Sequence, residues 1–208
     1  MELKNDVAKV SYIIGQDIGQ SFYREGYEID IDILLEAIRQ GSTGSQESLL
    51  SEEEKNEVMT RWQAEMQAKA QEKNRQAGLE QREIGEKFLS ENREKEGIVE
   101  TASGLQYKVI TEGEGDKPSA TDMVNVHYHG TLLNGDVFDS SVVRNEPVSF
   151  PLNQVIPGWT EGVQLMSVGS KYEFYIKADL AYGDMPVGNI PAGSTLKFEV
   201  ELLGIEKA

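Results

Sequence analysis

Few side chains in this sequence could carry covalent chemistry, and their spacing argues against it. Cysteine is absent from the 208 residues, which excludes a thiol nucleophile, thiolate metal sites and a disulfide scaffold. The two histidines, His127 and His129, stand two residues apart on one face of any strand that holds them. They would make a two-point metal clamp, but no third ligand lies near them in the sequence. Nor do two histidines assemble a specific Ser/His/Asp triad, so a structural or exposed role fits them better. The run Gly113-Glu114-Gly115 lacks the helix and lysine that follow in a phosphate-binding loop, and reads as a turn. Thiol, metal-clamp, triad and phosphate-loop chemistries thus all fit this sequence poorly, and no metal or cofactor is expected.

The elements that must position such a site fall into two kinds. From Asp6 to Gly26, Val7, Val10, Ile14, Ile18 and Phe22 recur at helical spacing, and Ile31, Leu34, Leu35 and Ile38 repeat the pattern before the breakers Gly41 to Ser45. Ser51 and Glu54 form a capping box. The proline-free, Glu/Gln/Lys/Arg/Ala-rich stretch that follows, to about Glu96, predicts one long helix standing mostly in water, with Gly78 and Gly85 as weak points. Beyond Ser103 the pattern changes. Val124, Val126 and Tyr128 alternate with polar residues, as do Leu196, Phe198, Val200 and Leu202, and Tyr172, Phe174 and Ile176 give a further strand. Asn134-Gly135 signals a hairpin. The run from Trp159 to Met166 is the one helix expected in this half. The fold class is α+β: a helical domain over 1–50, a long connecting helix over 51–98, and an antiparallel sheet wrapped on one short helix over 99–208.

Composition narrows the partners. The chain holds 36 Asp and Glu against 20 Lys and Arg, a net charge of −16, and no segment is basic, which argues against nucleic acid. No run of 18 apolar residues exists to span a membrane. The opening MELKNDVAKVSYIIGQDIG lacks the apolar stretch and cleavage site of a secretory signal. The expected compartment is the cytoplasm, with the periplasm as the alternative for a processed chain.

Four runs in order, VHYHGTLLNGDVFDSS (126–141), NQVIPGWTEGVQLMSVGSKYEF (153–174), LAYGD (180–184) and IPAGSTLKFEVELL (190–203), closely resemble the FKBP-type peptidyl-prolyl cis/trans isomerase domain. SYIIGQDIGQSF, the acidic start of the long helix and KFLSENREKEGIVETASGLQYKV resemble the dimeric bacterial branch of that family, which includes macrophage infectivity potentiator. The resemblance covers almost the whole chain. It implies rotation about X-Pro bonds in proline-containing unfolded or partly folded polypeptides, a V-shaped homodimer joined through residues 1–50, and macrolide inhibitors in the same pocket. Independently, the first two helices carry more apolar surface than a fifty-residue helical segment can bury alone. Gly15 and Gly19 would let another backbone approach, although a self-contained hairpin would also tolerate them.

X-Pro rotation meets a barrier of about 18–20 kcal/mol set by amide resonance, and no covalent bond to the enzyme is needed to lower it. A site can act by taking the amide out of water and fitting its twisted form better than its planar one. Such a site is an apolar, aromatic cup. Carried over from the family, the cup is Tyr128, Phe138, Asp139, Val155, Ile156, Trp159, Tyr182, Ile190 and Phe198. Trp159 is its floor, and Tyr128, Phe138 and Phe198 are its walls. Tyr182 and the Ile156 backbone N–H are the donors to substrate carbonyls, and Asp139 is the one charged wall residue, oriented by Tyr128 or Arg144. Strand periodicity leaves a packing role open for Tyr128 and Phe198, and Asp139 could instead cap a turn with Ser140 and Ser141. Val148 stands where many relatives carry an aromatic residue, and the loop from Asp184 to Ile190 is a residue shorter. The expected function is a folding-assisting isomerase. The alternative is a holdase or adaptor whose isomerase activity is secondary.

Overall fold

The computed structural model describes residues 2–44 and 48–207, and the chain divides into two compact units, Met1–Thr60 and Arg61–Ala208. In the first unit, α1 (Asp6–Glu25) is capped by Asn5, whose Oδ1 accepts from Ala8 N at 2.8 Å, and is closed by Gly26 at φ 69°. Helix α2 (Ile31–Ser42) starts at Asp30, which accepts from Asp32 N and Ile33 N. It runs through Gly41, where the sequence predicts a break; Ser45, the last of those breakers, lies outside the described residues. Neither helix has a buried residue.

Helix α3 (Glu52–Asn92) begins with the expected capping box: Ser51 N donates to Glu54 Oε2 at 2.8 Å and Glu54 N to Ser51 Oγ at 3.2 Å. The bonds that the Ser51 N–H and then the Ser51 hydroxyl donate to its carboxylate hold Glu54 below its ordinary range. At the other end the helix stops at Asn92, short of Glu96. Gln106, fully buried on the sheet, donates to the Leu89 carbonyl at 2.8 Å, beside the Arg93 N–H that reaches the same oxygen at 3.1 Å, and accepts from Asn92 Nδ2 at 3.0 Å. Gly78, Gly85, Leu89 and Asn92 are buried, so the last turns of α3 pack on the sheet unit and do not stand in water. The division between the two units falls inside α3, after Thr60.

The second unit holds β1 (Ile98–Glu100), β2 (Gln106–Thr111), β3 (Met123–Leu132), β4 (Val137–Ser140), α4 (Ser141–Arg144), β5 (Val148–Pro151), α5 (Pro157–Val163), β6 (Lys171–Ile176) and β7 (Leu196–Glu206). All strands pair antiparallel in the order β1-β2-β6-β7-β3-β4, and β5 pairs with the first half of β3 on the edge that β4 continues. Val124, Val126 and Tyr128 point inward as their alternation predicts. The β3–β4 hairpin forms at the expected place, but its turn bond runs from Gly135 N to Leu132 O at 3.0 Å, so Leu133 and Asn134 are the central residues and Gly135 follows at φ 93°. The Gly113–Gly115 run, read from sequence as a turn, is irregular chain with a bend at Gly115, and the two glycine N–H groups bond Ser170 Oγ and Val168 O.

Helix α5 begins at Pro157, two residues before Trp159, because a fixed φ and a missing N–H suit the first helical position. It ends at Val163, short of Met166: the Leu165 and Met166 amides close tight turns onto Gly162 O and Val163 O. Its glycines set how near it lies to β6. A Cβ at Gly158 would stand 2.5 Å from Ile176 Cγ2, and one at Gly162 2.7 Å from the Phe174 ring. Phe174 is fully buried and has nowhere to move. Gly162→Ala is expected to destabilise the sheet unit by about 1–3 kcal/mol, read as a lower midpoint in thermal unfolding followed through Trp fluorescence.

Candidate active site

On the concave face beside α5 lies a cavity of about 550 Å³. Strand β3 supplies Tyr128, β4 Phe138 and Asp139, α5 Trp159 and β7 Phe198; Val155 and Ile156 come from the approach to α5, Tyr182 and Ile190 from the connection between β6 and β7. All nine residues of the expected cup line this one cavity. Arg144 does not line it but reaches two residues that do.

The walls are built on Trp159. Its ring meets Tyr128 at 5.4 Å and Phe198 at 5.2 Å, both edge-on, and Phe150 at 5.3 Å; Phe138 is edge-on to Phe198 at 5.3 Å. Edge-to-face pairs of this kind fix ring orientation beyond what burial alone supplies. Trp159 is 5% exposed, and its Nε1 is buried with no hydrogen-bond partner among the described residues. The indole is held by ring packing alone.

The polar edge is a triangle. Tyr128 Oη donates to Asp139 Oδ2, Arg144 Nη1 to Asp139 Oδ1, and Arg144 Nη2 to Tyr128 Oη at 3.1 Å. Burial pushes the Tyr128 hydroxyl up, and its bond to Asp139 adds to the shift, so it stays protonated at neutral pH. For Asp139 burial alone would raise the carboxyl. The bonds from Tyr128 and Arg144 outweigh it and hold the group below its ordinary value. The turn-capping role that Asp139 could have taken belongs to Ser140, which accepts from Val143 N at 3.2 Å and starts α4. That helix turn, which no sequence period announces, places Arg144.

Two donors stand ready at the rim. The Tyr182 hydroxyl and the Ile156 N–H have no acceptor among the described residues, and Tyr182 is 38% exposed. The histidines are elsewhere engaged: His127 Nδ1 with Ser141 Oγ at 3.0 Å and His129 Nδ1 with Ser140 Oγ at 2.9 Å. Among the described residues, no group of three His, Asp or Glu side chains is placed to hold a metal ion. The cavity also takes in Phe150, Gln154, Val187, Gly188 and Asn189, which the sequence reading missed, and Val148. Phe150 shares the period-two face of Val148 and could have been found that way. Gln154 and the 187–189 turn carry no pattern.

An antiparallel sheet packed on the short helix α5, with an aromatic cavity beside that helix, defines the class of fold. Residues 114–203 match the family model described as FKBP-type peptidyl-prolyl cis-trans isomerase, and residues 7–109 match the domain amino terminal to it. The chain belongs to the FKBP-type peptidyl-prolyl cis-trans isomerases. It is 44% identical to FkpA of Aeromonas hydrophila over 99% of this chain and 79% of that protein. It is 42% identical to the outer membrane protein MIP of Legionella longbeachae over 99% of this chain and 88% of the relative. The crystal structure of FkpA from Escherichia coli matches with a TM-score of 0.81 at 34% identity, covering 100% of each chain.

The Asp139 geometry has a pH signature. A carboxyl depressed on folding contributes stability that is present above its unfolded value, near 3.8, and is lost as pH falls through its folded value. The stability difference between the unaltered protein and Asp139→Asn is expected to be constant from pH 7 to about 5 and to shrink on further acidification. Denaturant unfolding at successive pH values checks this; a difference that grows below pH 4 contradicts it.

Proposed function

We propose that the protein catalyses cis/trans rotation about X-Pro bonds in unfolded or partly folded polypeptides and assists their folding as a homodimer. The observation that carries the catalytic part is the conjunction at the cavity: aromatic walls, two unengaged donors at the rim, and an Asp139 carboxylate already paired. A prolyl amide entering it leaves water, which favours the less polar twisted form. Tyr182 and the Ile156 N–H take its neighbouring carbonyls, and Asp139 acts electrostatically on the carbonyl that rotates. At about 550 Å³ the cavity also has the size for a drug-like ligand, and macrolide inhibitors are proposed to occupy it.

Supporting the dimer are α1 and α2, on which Val7, Ile14, Ile33 and Ile38 are more than half exposed. A shallow groove on α1, lined by Leu3, Ala8, Tyr12 and Gly15, offers a seat for a second copy through residues 1–50. Two domains on one client raise the effective concentration of each at its prolines.

Exchange NMR on a short proline peptide tests the enzyme. Asp139→Ala and Trp159→Ala are expected to lose about tenfold or more in kcat/KM while keeping the far-ultraviolet circular dichroism of the fold. Charge substitution in the apolar stripe, Ile14→Glu, tests the dimer. Mass by light scattering is expected to halve and peptide turnover per chain to hold, while proline-limited refolding of a protein substrate slows roughly tenfold. The bare apolar helices also favour a second reading, a holdase or adaptor with secondary isomerase activity; it prevails if the two site variants, inactive on peptide, retain full activity in cells.

A further inference from the structure

The segment that carries Tyr182 has little structure of its own. It leaves β6 through the tight turn Ala178–Leu180, and its local bonds run from Leu180 N to Lys177 O, from Ala181 N and Gly183 N to Ala178 O and, at 3.3 Å, from Met185 N to Tyr182 O. Leu180 and Ala181 pack against the core, and polar links from α3 hold the segment further along. The Arg82 guanidinium donates from Nη1 to Asp179 Oδ1 at 2.8 Å and from Nε to Asp184 Oδ1 at 2.7 Å, so one side chain holds residues on both sides of Tyr182. A second link is made of backbone. A Cβ at Gly193 would stand 2.2 Å from Gly78 O on α3, and Gly193 N donates to Gly183 O at 2.8 Å. The two links meet the chain at Asp179, Gly183 and Asp184, on both sides of Tyr182.

We infer that Arg82 is a positioning residue for the isomerase site, bridging Asp179 and Asp184 so that the Tyr182 hydroxyl is held where substrate is bound. The inference rests on the reading of Tyr182 as a substrate donor. Each ion pair alone is partly exposed and screened by salt, but both close on one planar group, which fixes the spacing of the two carboxylates. Without the bridge the segment spends part of its time displaced. That lowers the binding-competent fraction for ground and transition states alike, so KM rises while kcat holds. A merely structural role behaves otherwise: lost folded enzyme lowers apparent kcat at unchanged KM.

The test compares the full chain with Arg82→Met, Arg82→Lys, Tyr182→Phe and the double Arg82→Met/Tyr182→Phe on one short proline peptide. Arg82→Met is expected to raise KM about fivefold at constant kcat. Arg82→Lys, which can reach one carboxylate, recovers part of the loss, and the double variant is no worse than Tyr182→Phe alone. If Arg82→Met fails to fold, Asp184→Asn removes the bridge from the other side and is held to the same KM rise. Additive losses, or an unchanged KM in Arg82→Met beside an impaired Tyr182→Phe, overturn the inference and leave the site reading standing. A wild-type KM and kcat in Tyr182→Phe overturn both.

Discussion

Helix α5 approaches the sheet as closely as two glycines allow, and the arrangement of the concave face follows from that contact. With no Cβ at Gly158 or Gly162, the helix backbone lies against Ile176 and Phe174 and drives Val163 into full burial. The helix is seven residues long, about 10 Å, while β7 across the sheet has eleven, about 35 Å. So short a helix cannot cover the sheet. The uncovered part is walled by large rings, and Trp159, on the first turn of α5, lies at the edge of the core and lines the cavity. Core and site are therefore not separable: Tyr128, Trp159, Ile190 and Phe198 belong to the same buried cluster as Val126 and Leu196.

A charged residue at the edge of such a cavity raises a problem that the Tyr128–Asp139–Arg144 triangle solves. Burial disfavours the carboxylate, and two donors outweigh it and favour the charged form. One of them, Tyr128, is itself a wall residue, so the network that favours the Asp139 charge also fixes the ring. Arg144 stands 46% exposed and Asp139 44%, which makes the pair weak as a source of stability but adequate for orientation. Its geometry depends on a single helical turn opened by Ser140 and closed by Asn145 at φ 53°, a conformation that asparagine tolerates better than most residues.

Elements with a strong period were legible in the sequence, and contacts made without side chains were not. The alternation in β3, β6 and β7 and the apolar stripes of α1 and α2 report burial or its need directly. Trp159 and Asp139 as site residues came from likeness to a family, because an aromatic on a short helix and a carboxylate after a strand have no periodic signature. The glycines of α3 misled: in an isolated helix Gly78 and Gly85 are weak points, yet here they admit Ala192 and Thr195, with a Cβ at Gly85 only 2.2 Å from Thr195 Oγ1. Propensity records what a glycine does to its own helix. It is silent on what the missing Cβ lets another chain segment do.

The first unit presents the opposite case, a legible surface that the described residues leave uncovered. Caps such as Asn5 and Asp30 contribute roughly 1 kcal/mol each, and a twenty-residue helix in water is otherwise marginal. Helix α1 keeps no residue buried while Val7, Val10, Ile14 and Ile18 fall on one stripe. In the homodimer proposed above, a twofold interface is self-complementary, so each stripe residue is buried once in each copy and a modest stripe contributes twice. That gain must exceed the repulsion between two chains of net charge −16. It can do so because the stripe itself is uncharged and because Gly15, with nothing within 4 Å of its Cβ position, leaves room for a facing backbone. Folding of the first unit is then tied to chain concentration, whereas the sheet unit, with its own core, is not.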